Sequence, residues 1–240
     1  MDQNEQAIEY FDKALAVNPK SINSLNNKGL CLLDMDQNEQ AIEYFDKALA
    51  VNPQSFDSLY KKGLCLLNMN QYEQAIEYFD KVLAVNPQSF DSLYNKGLCL
   101  MIMGQYDQAI ECNDKILANN PKSIDFLYSK GLCLFKMGQY EQAIEWFEKV
   151  LAVNPQSFDS LNNKGKCLFK MDQYEQAIEW FEKALTVNPQ SFDSLYNKGL
   201  CLFKMGQYEQ AIKFLRMCTI INPQLGQQIQ HLILQSVQYL

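Results

Sequence analysis

An all-α solenoid of stacked antiparallel helix pairs is the fold class this sequence predicts, and three series of residues predict it. Prolines fall at 19, 53, 87, 121, 155, 189 and 223, each 34 residues after the last, and they are all the prolines in the chain. Glycines at 29, 63, 97, 131, 165 and 199 keep the same step, as do cysteines at 31, 65, 99, 133, 167 and 201. A fixed period of this length marks supersecondary units that cannot bury an apolar face alone and must stack. The 240 residues therefore read as one elongated array, residues 1–240, rather than as globular domains.

Residues 56–89 show how one unit is built. Leu59, Gly63, Leu66 and Leu67 recur at steps of three and four, and the series restarts at Ala75, Ile76, Phe79, Val82 and Leu83. Two amphipathic helices result. Ser55 stands as N-cap of the first, with Asp57 in its first turn favoured by the helix dipole. The slot of Asn70 holds Asp36, Asn70, Gly104, Gly138, Asp172 and Gly206, the residue types that tolerate a left-handed terminus, so the first helix ends there. The second helix begins near Gln71 to Glu73 and stops at Asn86, because Pro87 disfavours helical geometry in its predecessor. Gly63 inside a helix costs about 1 kcal/mol relative to alanine. The slot of Ala75 is alanine in every copy, which predicts that this alanine packs on the glycine and lets the two backbones approach.

The order of Leu59, Gly63, Leu66, Tyr72, Ala75, Phe79 and Pro87 at a 34-residue spacing resembles the tetratricopeptide repeat, and the resemblance covers essentially the whole chain. It implies helix pairs wound into a right-handed superhelix, whose concave face is lined by first helices and binds peptides or partner proteins. One slot departs from the family: Lys28, Lys62, Lys96, Lys130, Lys164 and Lys198 stand where leucine is common. A buried stem with an exposed ammonium would accommodate them.

Taken in order, residues 1–21 form a half repeat with a second helix only, and residues 1–19 are identical to 35–53. That identity reads as a piece of a longer array or a start codon falling within one. Ile8, Phe11 and Leu15 are then expected to expose apolar surface, with self-association through the array ends. Full repeats follow at 22–55, 56–89, 90–123, 124–157, 158–191 and 192–225. Residues 226–240 read as a capping helix with Ile229, Leu232, Ile233, Val237 and Leu240 on one face. The second helix of repeat 90–123 is irregular. Asn113 replaces a phenylalanine, Cys112 an aromatic and Asn119 a valine, while Ile116 fills a small slot. Drift accounts for this, with a hinge or a partner contact as the functional alternative.

Composition narrows the function. With 21 basic and 28 acidic residues the net charge is −7, which argues against nucleic acid or an anionic membrane as partner. No apolar run reaches the length of a membrane span, and the acidic start lacks a signal peptide's features. Six of the eight cysteines share one register, where a helix packing distance of about 8–10 Å exceeds disulfide reach. Reduced thiols point to a cytoplasmic, intracellular setting. There is no CxxC, His231 is the only histidine, and the carboxylates recur at the repeat period, so no catalytic group, metal or cofactor is expected. Pairs such as Glu43 with Lys47 and Glu77 with Lys81 read as i, i+4 ion pairs on a solvated outer face.

The candidate binding residues lie on the first helices, on the face away from the second. They are Asp57, Tyr60 and Leu64; Asp91, Tyr94, Asn95 and Leu98; Asp125, Tyr128 and Leu132; Asp159 and Asn163, with Asn162 beside them; and Asp193, Tyr196 and Asn197. Asn27, Asn95, Asn163 and Asn197 form a broken asparagine ladder, interrupted by Lys61 and Ser129. It resembles the one lining the superhelix of O-GlcNAc transferase, where amides hold a peptide backbone. The reading is a non-enzymatic interaction scaffold that takes a protein or peptide segment with apolar and basic residues. Two alternatives fit the same residues: a targeting module of a larger enzyme, or an engineered or freshly duplicated array with no evolved ligand.

Overall fold

The computed structural model describes residues 3–238 and is all helical. The chain divides into two compact units, residues 1–121 and 122–240. The first unit holds α1 (Gln3–Val17), α2 (Ile22–Asp34), α3 (Asn38–Val51), α4 (Phe56–Asn68), α5 (Tyr72–Val85), α6 (Phe90–Ile102) and α7 (Tyr106–Asn119). The second holds α8 (Ile124–Lys136), α9 (Tyr140–Val153), α10 (Phe158–Lys170), α11 (Tyr174–Val187), α12 (Phe192–Lys204), α13 (Tyr208–Ile221) and α14 (Gly226–Gln238). Within each unit every helix packs on the one before it. This is the solenoid class that the period implies.

Local chemistry sets each boundary. The six turn residues between first and second helices all take positive φ, 58° at Asp36, Asn70 and Asp172 and 73–77° at Gly104, Gly138 and Gly206. Before α4, α6, α10 and α12 an asparagine side chain closes the turn over proline: Asn52 Oδ1 accepts from the Gln54 amide, Asn86 from Gln88, Asn154 from Gln156 and Asn188 from Gln190. The N-cap serines act in two ways. Ser21 and Ser191 accept from the amides of Ser24 and Ser194. Ser55 does not cap through its side chain; its hydroxyl pairs with that of Ser58 at 2.7 Å.

In four of the six first helices the glycine faces a ring, not the expected alanine. A Cβ built on Gly29 would lie 2.6 Å from Phe45, and on Gly63, Gly131 and Gly165 it would lie 2.7 Å from Phe79, Phe147 and Phe181. Those four rings are fully buried. Ala75 is buried too, but the helices cross so that the side chain one turn later reaches the glycine. In the last pair Leu215 takes the ring's place, 3.0 Å from the built Cβ of Gly199. In repeat 90–123, with Asn113 in the phenylalanine slot, a Cβ on Gly97 would meet only the Cys112 Cβ at 3.4 Å, an ordinary contact.

Successive repeats are joined on the second-helix side by the lysines. Lys62 Nζ donates to Asp46 of the preceding second helix at 2.5 Å and lies 4.7 Å from the Tyr78 ring centre of the following one. Lys28 joins Asp12 to Tyr44, Lys164 joins Glu148 to Trp180, and Lys198 joins Glu182 to Phe214. The stems are buried as expected, but the ammonium is engaged between a carboxylate and a ring rather than left in water. Burial lowers the Lys62 pKa, yet the Asp46 and Tyr78 contacts outweigh it and the net shift is upward. Lys96 reaches Asp80 but finds Cys112 where the ring should be, and its side chain is 20% exposed against 12% for Lys62.

The outer i, i+4 ion pairs are also corrected. Among the described residues, Lys47, Lys81, Lys149 and Lys183 do not pair with Glu43, Glu77, Glu145 and Glu179. Each lies over the ring three residues earlier, Tyr44, Tyr78, Trp146 or Trp180, at 3.5–4.5 Å from its centre.

At the ends, α1 has no buried residue: Ile8, Phe11 and Leu15 are half-buried, whereas Phe45, in the identical sequence of α3, is fully covered. In α14, Ile229 and Ile233 pack on Leu195, Ile212 and Leu215. Val237 does not join them and is 49% exposed, because each step of four residues turns a side chain by about 40° off the seam. Leu240 and the side chain of Leu232 lie outside the described residues.

The contrast between glycines gives a direct test. Gly63→Ala should lose about 1–3 kcal/mol by displacing Phe79, whereas Gly97→Ala should be neutral or gain up to about 1 kcal/mol from helix propensity. Asn113→Phe should reverse the sign at Gly97, a coupling visible in a double-mutant cycle of urea midpoints. Equal losses at the two glycines would remove the ring as the cause.

Candidate functional site

The candidate residues lie on the first helices α4, α6, α8, α10 and α12, of which α4 packs beside α6 and, in the other unit, α10 beside α12. Asp57, Asp91, Asp125, Asp159 and Asp193 are all exposed in the first turns, where the macrodipole favours a carboxylate. Tyr60 and Tyr128 are half-buried, and their rings pack on the core rings of Phe79 and Phe147 at 6.0 and 5.8 Å between centres. Leu64 and Leu132 are half-buried, with Leu64 resting on the Leu66, Ala75 and Phe79 cluster. Tyr94 and Leu98 are exposed, and on α6 they continue a stripe with Phe90 and Ile102 at steps of four. Tyr196 and Asn197 are half-buried.

Two matching constellations emerge. The Asn95 amide donates to Tyr60 Oη at 3.1 Å and to the Asp91 carbonyl at 2.9 Å. In the second unit the Asn163 amide donates to Tyr128 Oη at 2.8 Å. Each tyrosine also feels the carboxylate beside it. Burial first and Asp159 next push Tyr128 up to about 12, and burial with Asp91 raises Tyr60 in the same sense. The phenols therefore stay neutral over the physiological range and act as hydrogen-bond partners, not as acids.

This geometry changes what the asparagines can offer. Both amide hydrogens of Asn95 are spent inside the array, which leaves Oδ1 as an acceptor. Asn197 donates to the Asp193 carbonyl at 2.7 Å, and Asn27 is exposed. Asn162 does not face a groove at all. It is buried, and its Oδ1 accepts from Ser194 Oγ at 3.0 Å, as Asn26 accepts from Ser58 at 2.7 Å. The slot at 26, 60, 128 and 162 thus bonds to the next repeat whichever residue fills it, tyrosine to an asparagine 35 residues on and asparagine to a serine 32 residues on. In the second unit Lys166 donates to Asp193 at 2.6 Å and partly neutralises that carboxylate.

Burial weakens most of the thiols as nucleophiles. Burial pushes Cys65, Cys167 and Cys201 from 9.0 up to about 12, and Cys99, Cys133 and Cys218 to about 11. Among the described residues no helix is long and apolar enough to cross a membrane.

The stacked pairs, their ring-on-glycine contact and the repeat-to-repeat bonds define a tetratricopeptide-type array. Residues 1–82, 68–147, 102–184 and 137–218 match the family model described as anaphase-promoting complex, cyclosome, subunit 3, and the chain belongs to that family of tetratricopeptide repeats. No curated protein matches the chain. Among solved structures it is similar to YrrB, described as a tetratricopeptide protein with an unusual peptide-binding site, at 22% identity over 81% of this chain and 97% of that one, with a TM-score of 0.63. It is similar to MamA from Desulfovibrio magneticus at 26% identity over 70% of this chain and 95% of that one, with a TM-score of 0.64. A tetratricopeptide repeat protein from Parabacteroides merdae matches at 19% identity over 98% of this chain and 92% of that one, with a TM-score of 0.63.

The thiol shifts carry a sign. An unfolded chain releases these protons near pH 9 and the folded chain only near 11 to 12, so the stabilisation is full below pH 9 and falls as pH rises through that window. Urea midpoints should drop between pH 9 and 11. In native protein at pH 8, iodoacetamide should label half-exposed Cys31 first, as peptide mapping would show. Labelling of Cys65 or Cys167 at the rate of Cys31 would contradict the burial.

Proposed function

We propose that this array is a non-enzymatic protein-interaction scaffold, acting in the reducing cytoplasm and engaging a peptide or partner segment on the first-helix face of its repeats. The observation that carries the reading is the repeated pairing of an exposed aspartate with an aromatic side chain, Asp91 by Tyr60 and Asp159 by Tyr128. Within each unit acceptors dominate this face: the carboxylates at 57 and 91 and the free Oδ1 of Asn95 in the first, and the carboxylates at 125 and 159 in the second. It therefore selects a segment rich in donors, with lysine or arginine over the aspartates and apolar side chains against Tyr94 and Leu98. Family membership supports the scaffold reading, and so does the peptide-binding site attributed to YrrB, a protein of the same fold.

The test is a positional peptide library read against the full chain at several salt concentrations. Basic, apolar sequences should be enriched. Asp57→Asn with Asp91→Asn should slow association and flatten its salt dependence, as charges at the edge of an interface do. Tyr94→Ala should cost about 2 kcal/mol of binding as an aromatic anchor, and its exposure keeps the fold intact. Affinities that ignore both salt and these changes would show that the first-helix face is not where partners bind.

A further inference from the structure

We propose that the cleft at the end of α7 is a separate binding site, for a peptide segment bearing a leucine-like side chain next to a carboxylate. The cleft has a volume of about 340 Å³ and lies within residues 1–121, with Leu83, Pro87, Leu93 and Ala118 as apolar walls and Lys115 and Asn119 among its lining. The second unit provides its counterpart, also about 340 Å³, lined at corresponding positions by Pro155, Leu161, Lys183, Thr186 and Val187. The shape is thus generic to the repeat. The chemistry is not.

In the second cleft the lysine is occupied, with Lys183 Nζ 3.8 Å over the Trp180 ring, and the corresponding Lys47, Lys81 and Lys149 also lie on rings. In α7 that ring is replaced by Cys112, which is buried beneath the surface. Among the described residues Lys115 has no ring contact, hydrogen bond or ion pair, and Glu111 one turn earlier does not engage it. Asn119 stands where the other second helices carry Val85, Val153 and Val187, and it adds an amide to the same cleft. Two changes in one helix therefore turn an apolar notch into a notch with an available ammonium and an amide donor.

Those groups fix the ligand class. An aliphatic side chain removes the apolar walls from water. A carboxylate beside it meets Lys115 in a charge-assisted hydrogen bond, with Asn119 as a second donor. The volume is at the low end for ligand sites, of the order of one or two side chains, which selects a short peptide anchor over a large cofactor. The basic segment proposed for the first-helix face does not suit it, and the two sites are independent.

The experiment is amide NMR on the full chain titrated with acetyl-Gly-Leu-Asp-Leu-Gly-amide and with its Asn counterpart. The Asp peptide should shift residues 83–93 and 115–119 and leave 151–161 and 183–187 in place. The Asn peptide, and separately Lys115→Gln, should each weaken binding about tenfold, one charge-assisted contact, while Lys115→Arg retains it. Cys112→Trp, which returns a ring beneath Lys115, should weaken it as well; should that variant unfold, the exposed Lys115 substitutions decide. Equal shifts at both clefts, equal binding of the two peptides, no loss in Lys115→Gln, or shifts confined to residues 57–67 and 91–98 would each overturn the proposal.

Discussion

Four of the helix pairs depend on a ring lying against a bare backbone. Phe79 over Gly63 brings two helices close enough that no Cβ fits between them, and the same contact recurs at Gly29, Gly131 and Gly165. The helix-propensity cost of a mid-helix glycine is about 1 kcal/mol, while losing a buried phenylalanine costs about 3 to 5, so the contact repays the glycine several times over. The rest of the repeat is arranged around it. Ala75 and Val82 close the core beside the ring, Tyr60 packs on its far side, and the positive-φ turn at Asn70 returns the chain at the angle the contact needs.

Joining one pair to the next uses polar chemistry on two faces. On the first-helix side, Tyr60 with Asn95 and Asn26 with Ser58 make buried or half-buried bonds between neighbours, and every buried polar side-chain atom among the described residues has a partner. On the opposite side Lys28, Lys62, Lys164 and Lys198 each touch the second helix before and the one after, so a single ammonium sets the spacing of three helices. The carboxylate partners are about half exposed, so solvent screens the Coulomb part of the clip. Its ring contact and buried stem hold it in place.

The period, the helix ends and the left-handed turns were legible in the sequence because each rests on local rules: proline geometry, glycine or asparagine at a positive φ, steps of three and four. What misled was chemistry that depends on how helices cross. Ala75 looked like the partner of Gly63 because both recur in every full copy, but only the crossing reveals that the side chain one turn later arrives first. Lys62 lies 16 residues from Asp46, a separation with no meaning on a single helix. Asn162 and Asn95 were read as facing a groove because their slots point away from the second helices; the neighbouring repeat, invisible to a one-helix reading, supplies the partners. The family fold was legible in full, the acidic and aromatic face in outline, and the cleft of α7 only as an irregular helix.

The polar bonds between repeats have one more property. Lysine to carboxylate spans 16 residues, tyrosine to asparagine 35 and asparagine to serine 32, each close to or within a single 34-residue period. Excising or inserting one whole period brings a carboxylate 16 residues before each lysine again, so the lysine clips re-form across the new junction without any compensating substitution. Copy number in this kind of array is accordingly a nearly neutral variable for the clip, and the gene can lengthen or shorten its product by slippage between near-identical segments.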